Sequence, residues 1–443
     1  GTHKPEVSGS IPLPATNLLK MKILYLSHGD PDTDFSGVPL IAKQYINYFK
    51  KNGHECALLL PKINSTQKII NEDVNEISRF YWPSLNNWRL EAFKKKPNDY
   101  FNPNIQIDFK PDIIHVLDWV NFSPSILDKL RSFNVPIIRH VYNFEDFCYF
   151  TRPIYYHEDH APCEAPLSIK NCTNCIIKNE DQKISDHITS IIFNKKKKLR
   201  KKLQNRESII KEHFENYFDH LIFPSRSFAD FFFKHYEKQK PYSVISHGIE
   251  KPKEKFKKDG NNKVNIIFCG GTELAKGWFV IEDAFLKILK DNSLNFNLRI
   301  YGDKKITSKS LLSKFENIDF FERYSPDEID NIFGWADIAI TPFLFETYSR
   351  IVREFMIRDV IPISTDAFGI PDVIDDKVNG FLIKKPLKIN LYNLLKTLLT
   401  NKEMLNDIRD KIRNTLITSP EDEQLSILKI YEKLYETSPQ IRI

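Results

Sequence analysis

The first apolar run, Met21–Leu26, passes into Ser27–Gly37, a loop crowded with turn residues. From Val38 to Lys51 the apolar positions Ile41, Tyr45, Ile46 and Phe49 recur at helical spacing, and Asn52-Gly53 stops the pattern. Cys56–Leu60 is apolar again. Strand, glycine loop, helix and strand in that order make a βαβ unit, which predicts a parallel sheet. Pro111–Leu117, Pro136–Val141 and His220–Ser225 read as further strands of that sheet. A polar, turn-rich run from Lys251 to Lys263 is the best domain boundary in the chain. Beyond it the pattern restarts with Val264–Cys269, Leu298–Gly302, Ile318–Phe321, Asp337–Phe343 and Val360–Ser364 as strands. Glu421–Thr437 is the last helix.

The pattern therefore predicts an α/β protein of two Rossmann-like domains. Their spans are 21–245 and 246–425, with a Cys-rich insert over 148–175. A C-terminal helix over 420–443 is expected to pack back towards the first domain. Residues 1–20 lack periodicity and read as a disordered tail or an appended remnant. Composition narrows the class. At 443 residues, 41% hydrophobic and 13% aromatic, the chain has enough apolar material for two cores. The net charge of +6 is mild, which argues against a dedicated nucleic-acid binder. No apolar run reaches the roughly 18 residues of a membrane span, and no secretory signal is visible. Six cysteines in so long a chain do not make a disulfide scaffold, so a cytoplasmic location is the expectation.

The chemistry centres on Glu346 and Glu354, which have seven residues between them. Glu346 falls where a strand hands over to a helix, and Glu354 falls inside that helix. Eight helical residues rise about 12 Å, too far for an acid/base pair on one bond but suited to the two ends of an extended ligand. The helix N-terminus beside Glu346 offers N–H groups that suit a phosphate. A polyol–diphosphate–ribose ligand fits that layout.

Three other features carry candidate chemistry. His140 ends its strand, on the side where open α/β sheets hold ligands. Cys148, Cys163, Cys172 and Cys175 lie within 28 positions, with His157 and His160 between them. They have the numbers for a structural Cys₄ zinc site, while buried thiols or a disulfide are the competing readings. Lys195–Lys202 heads a helical stretch. It reads either as a solvated face or as a surface for anionic lipid, which would make the protein peripheral on the inner face of a membrane. No aromatic interleaves that run, so it offers no stacking platform for nucleic acid.

Taken in order, these motifs resemble the retaining glycosyltransferases of family 4, which have the GT-B fold. Ser36-Gly37 with Asn52–Glu55 is similar to the family's opening glycine loop and helix end. Ser246–Glu250 is similar to its interdomain signature, with His247 where Asn is usual. Phe268–Gly277 is similar to its phosphate-binding loop, and Glu346/Glu354 match its E-x7-E pair. Phe368-Gly369 and Asn379-Gly380 match the segments that follow. The cysteine cluster also resembles one seen in a subset of the family.

The resemblance implies a metal-independent transfer of a hexose-type sugar, with retention, from a UDP-, GDP- or similar nucleotide-sugar donor. By the same resemblance 21–245 would be the acceptor domain and 246–425 the donor domain, and the acceptor would be a glycan, a lipid-linked acceptor or another cell-surface polysaccharide. No cofactor is required for that reaction, and zinc, if bound, is structural. Catalysis falls to His140, Glu346 and Lys276. Donor binding falls to Gly37, Gly270, Gly271, Lys276, Glu346, Arg350, Glu354 and Gly369. Gly271 stands where the family has an arginine that clamps the diphosphate, and Arg350 is the candidate replacement. A nucleotide-sugar epimerase of the same architecture, or a non-catalytic sugar-nucleotide or glycan binder, are the rival readings.

Overall fold

The computed structural model describes residues 19–34, 36–63, 72–74, 77–84, 107–122, 125–149, 163, 168–180, 189–236, 240–253, 263–272, 274–291 and 294–438. The first domain contains β1 (Lys22–Leu26), α1 (Gly37–Lys51), β2 (Glu55–Ile63), β3 (Glu72–Val74), β4 (Ile77–Ser84) and β5 (Ile113–Val116). It continues with α2 (Ser125–Arg131), β6 (Ile137–His140), α3 (Ile169–Glu180), α4 (Thr189–Asn216), β7 (His220–Phe223), α5 (Arg226–Phe233) and β8 (Tyr242–Val244). Its sheet runs β3-β4-β2-β1-β5-β6-β7-β8, parallel except where β3 meets β4.

The second domain contains β9 (Val264–Cys269), α6 (Trp278–Ile288), β10 (Phe296–Tyr301), α7 (Lys304–Thr307), β11 (Ile318–Phe321), α8 (Ile329–Trp335) and β12 (Ile338–Thr341). After these come α9 (Arg350–Met356), β13 (Ile361–Thr365), β14 (Phe381–Ile383), α10 (Leu387–Thr400), α11 (Lys402–Arg413) and α12 (Pro420–Glu436). Its parallel sheet runs β11-β10-β9-β12-β13-β14. Every residue of β9, β12 and β13 is buried. Helices cover both faces of such a sheet, which is why these strands read as unbroken apolar runs.

The strand order reverses between β1 and β5 in the first sheet and between β9 and β12 in the second. At such a reversal the loops leaving neighbouring strands diverge and open a crevice beyond the carboxyl ends. Each domain thus has one topologically defined place for a ligand.

Helix α12 leaves the second domain and packs on the first. Ile427, Leu428 and Tyr431 are buried against Ile23, Tyr25 and Phe49. Within α12, Glu423 is buried; it accepts from Tyr45 Oη and from the Gly248 N–H, and meets His247 Nδ1 at 2.8 Å. Gly248 has to be glycine, because a Cβ there would meet Pro420 Cα at 2.3 Å. The sequence pattern misses β3 and β4, whose short, mixed segments carry no clear alternation. It also starts the basic helix late, since α4 begins at Thr189. Residues 1–18, His157 and His160 lie outside the described residues.

Candidate active site

Strand β9 ends in Gly270-Gly271, and the short turn Leu274–Lys276 leads into α6. Gly277 caps that helix with φ +74°, and a Cβ there would lie 2.1 Å from the Pro342 carbonyl oxygen. Glycine therefore lets the turn press against the loop after β12, which carries Glu346. The result is that Lys276 Nζ stands 3.8 Å from Glu346 Oε2 and 4.4 Å from the centroid of the Phe343 ring. Lys276 and Glu346 thus straddle the reversal of the second sheet.

Gly271 has φ +63°, and a Cβ there would lie 3.0 Å from Asp303 Oδ2. Asp303 is itself fixed by the Thr272 backbone N–H and by Thr272 Oγ1. A side chain at 271 is thus disfavoured twice, by the left-handed backbone and by the carboxylate. Gly270 is equally crowded, by Phe268 and by Lys276 Cβ.

Glu346 lies in the loop, not in the helix; α9 begins at Arg350, after Ser349 at φ +59°, and is only seven residues long. The rise of about 12 Å expected for two glutamates on one helix therefore does not apply to this pair. The Gly369 N–H donates to the Glu346 carbonyl at 2.9 Å, and a Cβ at 369 would meet the Thr347 carbonyl oxygen at 2.1 Å. Gly369 thus holds the Glu346 loop through its backbone.

Arg350 Nε donates to Glu354 Oε1 at 2.8 Å, one turn along α9. That pairing ties it to the second glutamate. The arginine the sequence reading passed over is Arg353. It is buried, lies 3.6 Å from the centroid of the Tyr348 ring and donates to the Tyr348 and Ser349 carbonyls that precede α9.

The two domains meet beside this loop. Thr347 Oγ1 donates to the Tyr142 carbonyl at 2.8 Å, Ser225 Oγ donates to the Thr347 carbonyl at 2.6 Å, and Phe144 packs edge-on against Phe345 and Phe368. His140 sits under this contact, fully buried, stacked on Tyr142 at 3.9 Å and facing His247 at 5.5 Å. Neither of its ring nitrogens has a hydrogen-bond partner among the described residues. Burial, then the neighbouring His247, His115 and Arg139, pulls its pKa well below the usual histidine range, so the ring is neutral at physiological pH. Gly37 opens α1 on the other side, with nothing among the described residues within 4 Å of where a Cβ would stand.

Residues 249–415 match the family model described as Glycosyl transferases group 1. The matched span takes in most of the second domain. Lys276, Glu346, Arg353 and Glu354 all lie inside it. Among curated proteins, an uncharacterized 41.2 kDa protein in the cps region of Klebsiella pneumoniae is 24% identical over 32% of this chain and 40% of its own length. An uncharacterized glycosyltransferase of Methanocaldococcus jannaschii is 24% identical over 43% of this chain and 53% of its own. The match thus spans about half the length of these relatives or less.

Solved structures extend the likeness to both domains. Sucrose-phosphate synthase from Thermosynechococcus elongatus superposes with a TM-score of 0.65 at 13% identity, over 95% of this chain and 100% of the other. Anabaena HepE in complex with UDP and glucose gives 0.58 at 12% identity, over 93% and 99%. The catalytic domain of Arabidopsis thaliana starch synthase IV, bound to ADP and acarbose, gives 0.57 at 14%, over 95% and 99%. The expected GT-B architecture, two parallel-sheet α/β domains, holds for both halves of the chain.

The cysteines form a separate group. Cys172 is pushed up to about 12 by burial and then by the neighbouring thiols of Cys148, Cys163 and Cys175, so the four sulfurs share one neighbourhood between α3, α4 and the loop after β6. Among the described residues no three His, Cys, Asp or Glu side chains close to metal-binding geometry. In the basic helix α4, Lys197, Lys198, Arg200 and Lys201 are exposed, while Leu199 and Leu203 are buried against Ile176 of α3. Among the described residues no helix is long and apolar enough to cross a membrane.

Proposed function

We propose that the protein is a retaining glycosyltransferase of family 4 type that transfers a sugar from a nucleotide-sugar donor to a glycan or lipid-linked acceptor, without a catalytic metal. The observation that carries the reading is the Lys276–Glu346 pair at the reversal of the second sheet, 3.8 Å apart, with Glu354 further along the same segment. In this reading Lys276 meets the donor diphosphate, Glu346 the sugar hydroxyls and Glu354 the ribose. As the bond from the anomeric carbon to phosphate breaks, its electron pair goes to the diphosphate, and the Lys276 ammonium stabilises that charge. The acceptor oxygen then bonds to the anomeric carbon on the same face, and its proton passes to the departing phosphate oxygen.

Thermal-shift screening against nucleotide sugars, followed by NMR of the product anomer, tests this. Stabilisation by a nucleotide sugar and a retained anomer are expected. Conversion of the donor without any acceptor would instead identify an epimerase.

Two further roles belong to this reading. We expect the four cysteines to take up one structural zinc, with all four deprotonated on binding. Metal analysis should find about one zinc per chain and chelation should lower Tm. No zinc and an unchanged Tm would leave a buried thiol cluster. The exposed face of α4 is expected to retain the protein on vesicles rich in anionic lipid at low salt and to release it as salt rises. Equal recovery on neutral and anionic vesicles would remove the membrane from the account and point to a soluble acceptor.

A further inference from the structure

The reversal of the first sheet is occupied by polar groups that the donor chemistry does not use. Strand β1 exits into Ser27-His28, and its neighbour β5 exits into Leu117-Asp118. Asp118 is almost fully buried and holds His28 at two points: Oδ1 accepts from the His28 backbone N–H at 2.9 Å, and Oδ2 bonds ring Nδ1. The other ring nitrogen, Nε2, faces Ser36 Oγ at 3.3 Å and Asp34 Oδ2 at 3.7 Å. The His28 side chain is 24% exposed, so this edge reaches the crevice.

The remaining loop is tied elsewhere. Arg79 pairs with Asp30 and Asp32 at 2.8 and 2.5 Å, and Lys43 pairs with Asp32 at 2.9 Å. Gly29 lets the loop fold onto itself, since a Cβ there would strike Asp34 Oδ2 at 2.2 Å. Ser36 makes no side-chain cap to α1 among the described residues; its hydroxyl lies against His28 Nε2 and the Asp34 carboxylate instead.

We propose that His28, clamped by Asp118 and flanked by Asp34 and Ser36, is the acceptor subsite of the transferase, and that it takes a neutral, hydroxyl-bearing sugar. This rests on the transferase reading. The charge count selects the ligand. Burial works against a charged ring, but the Asp118 carboxylate overrides it and holds the His28 pKa up at about 9, with Asp34 and Glu145 adding to the effect. The imidazolium is matched by the Asp118 and Asp34 carboxylates, while Glu145 is already paired with the buried Arg139, so the site has no surplus positive charge to hold an anion. It suits adjacent hydroxyls instead: one accepts from Nε2–H while its neighbour donates to Asp34, with Ser36 Oγ bridging. Asp118 is a positioning residue, because it fixes the ring and touches no ligand.

Saturation-transfer NMR with methyl glycosides of glucose, galactose, mannose and N-acetylglucosamine tests the proposal, with inorganic phosphate as the competing anion. At least one glycoside should receive saturation and shift the His28 ring resonances, and phosphate should not displace it. His28→Gln, and Ser36→Ala as the milder variant, should lose that contact about tenfold and a few-fold respectively. Both should bind UDP, GDP or ADP as the unaltered protein does. In Asp118→Asn the His28 pKa, read by NMR, should drop from about 9 to below the ordinary histidine value, because burial remains and the opposing charge is gone.

Glycoside contact undiminished in His28→Gln, no glycoside contact in the unaltered protein, or displacement by phosphate would each overturn the proposal. Should no nucleoside diphosphate bind while glycosides still shift His28, the donor reading fails and the sugar subsite stands.

Discussion

Glu346→Gln is expected to lower turnover about tenfold to 150-fold while leaving nucleoside diphosphate affinity nearly unchanged. A hydrogen bond to a charged group is worth roughly 1.5–3 kcal/mol, and each 1.36 kcal/mol is about a tenfold change in rate. In the proposed reading Glu346 contacts the donor only through its sugar, and that contact shifts as the glycosidic bond stretches, so its loss falls on the transition state. Glu354→Gln should behave differently. It should weaken donor and free nucleoside diphosphate alike, by a similar factor, because the ribose is common to both. The ion pair it also breaks, with Arg350 one turn away, is partly exposed and worth only about 0.3–0.5 kcal/mol, so Tm should barely move. Calorimetric titration of the nucleoside diphosphate against both variants decides the matter. Equal loss of nucleotide affinity in the two would show that the glutamates do not divide the donor between them. A joint fall in Tm would mean that both act through the stability of the Glu346 loop and α9.

Lys276→Met should be at least as damaging, and its signature differs. The ammonium has two neighbours, Glu346 and the Phe343 ring, and the ligand's diphosphate would be the third. Its removal is expected to cost about tenfold or more in nucleoside diphosphate affinity and more still in turnover, since charge on the diphosphate grows as the bond breaks. It also leaves Glu346 without its cation. The double variant Lys276→Met/Glu346→Gln should therefore lose less than the product of the single losses, because the two side chains are in one network. Strictly multiplicative losses in kcat/KM would mean that the 3.8 Å pair does not act as a unit. Lys276→Arg should restore charge without restoring the rate, because the planar guanidinium does not reproduce a compact ammonium on the Phe343 ring.

Much of this site was legible along the chain, and for a local reason. A loop between a buried strand and the next helix is short, so its chemistry is contiguous in sequence. Gly270-Gly271, Lys276 and Gly277 fall within one such loop, and Glu346 within another. Residue type carried part of the meaning as well: Gly277 is glycine because the backbone is left-handed and Pro342 is 2.1 Å from any Cβ. The helix expected to carry both glutamates failed as a ruler, because the spacing of two charged residues does not reveal where the first helical turn begins. Ser349 in a left-handed conformation delays that turn until Arg350.

The sequence by itself determined two parallel α/β sheets and the loops that leave their strands. Apolar periodicity and turn chemistry are local properties and can be read one segment at a time. Only the tertiary structure decided which loops face one another. His28 and Asp118 are 90 residues apart, and each merely follows an apolar run. They meet because β1 and β5 are neighbours in the sheet, and strand order is a long-range outcome of packing. Glu423 is likewise one acid among several in a C-terminal helix until α12 crosses to the first domain, where it meets His247, Gly248 and Tyr45. Pairings of this kind are set by how whole sheets and helices bury their faces, a constraint that no single stretch of residues contains.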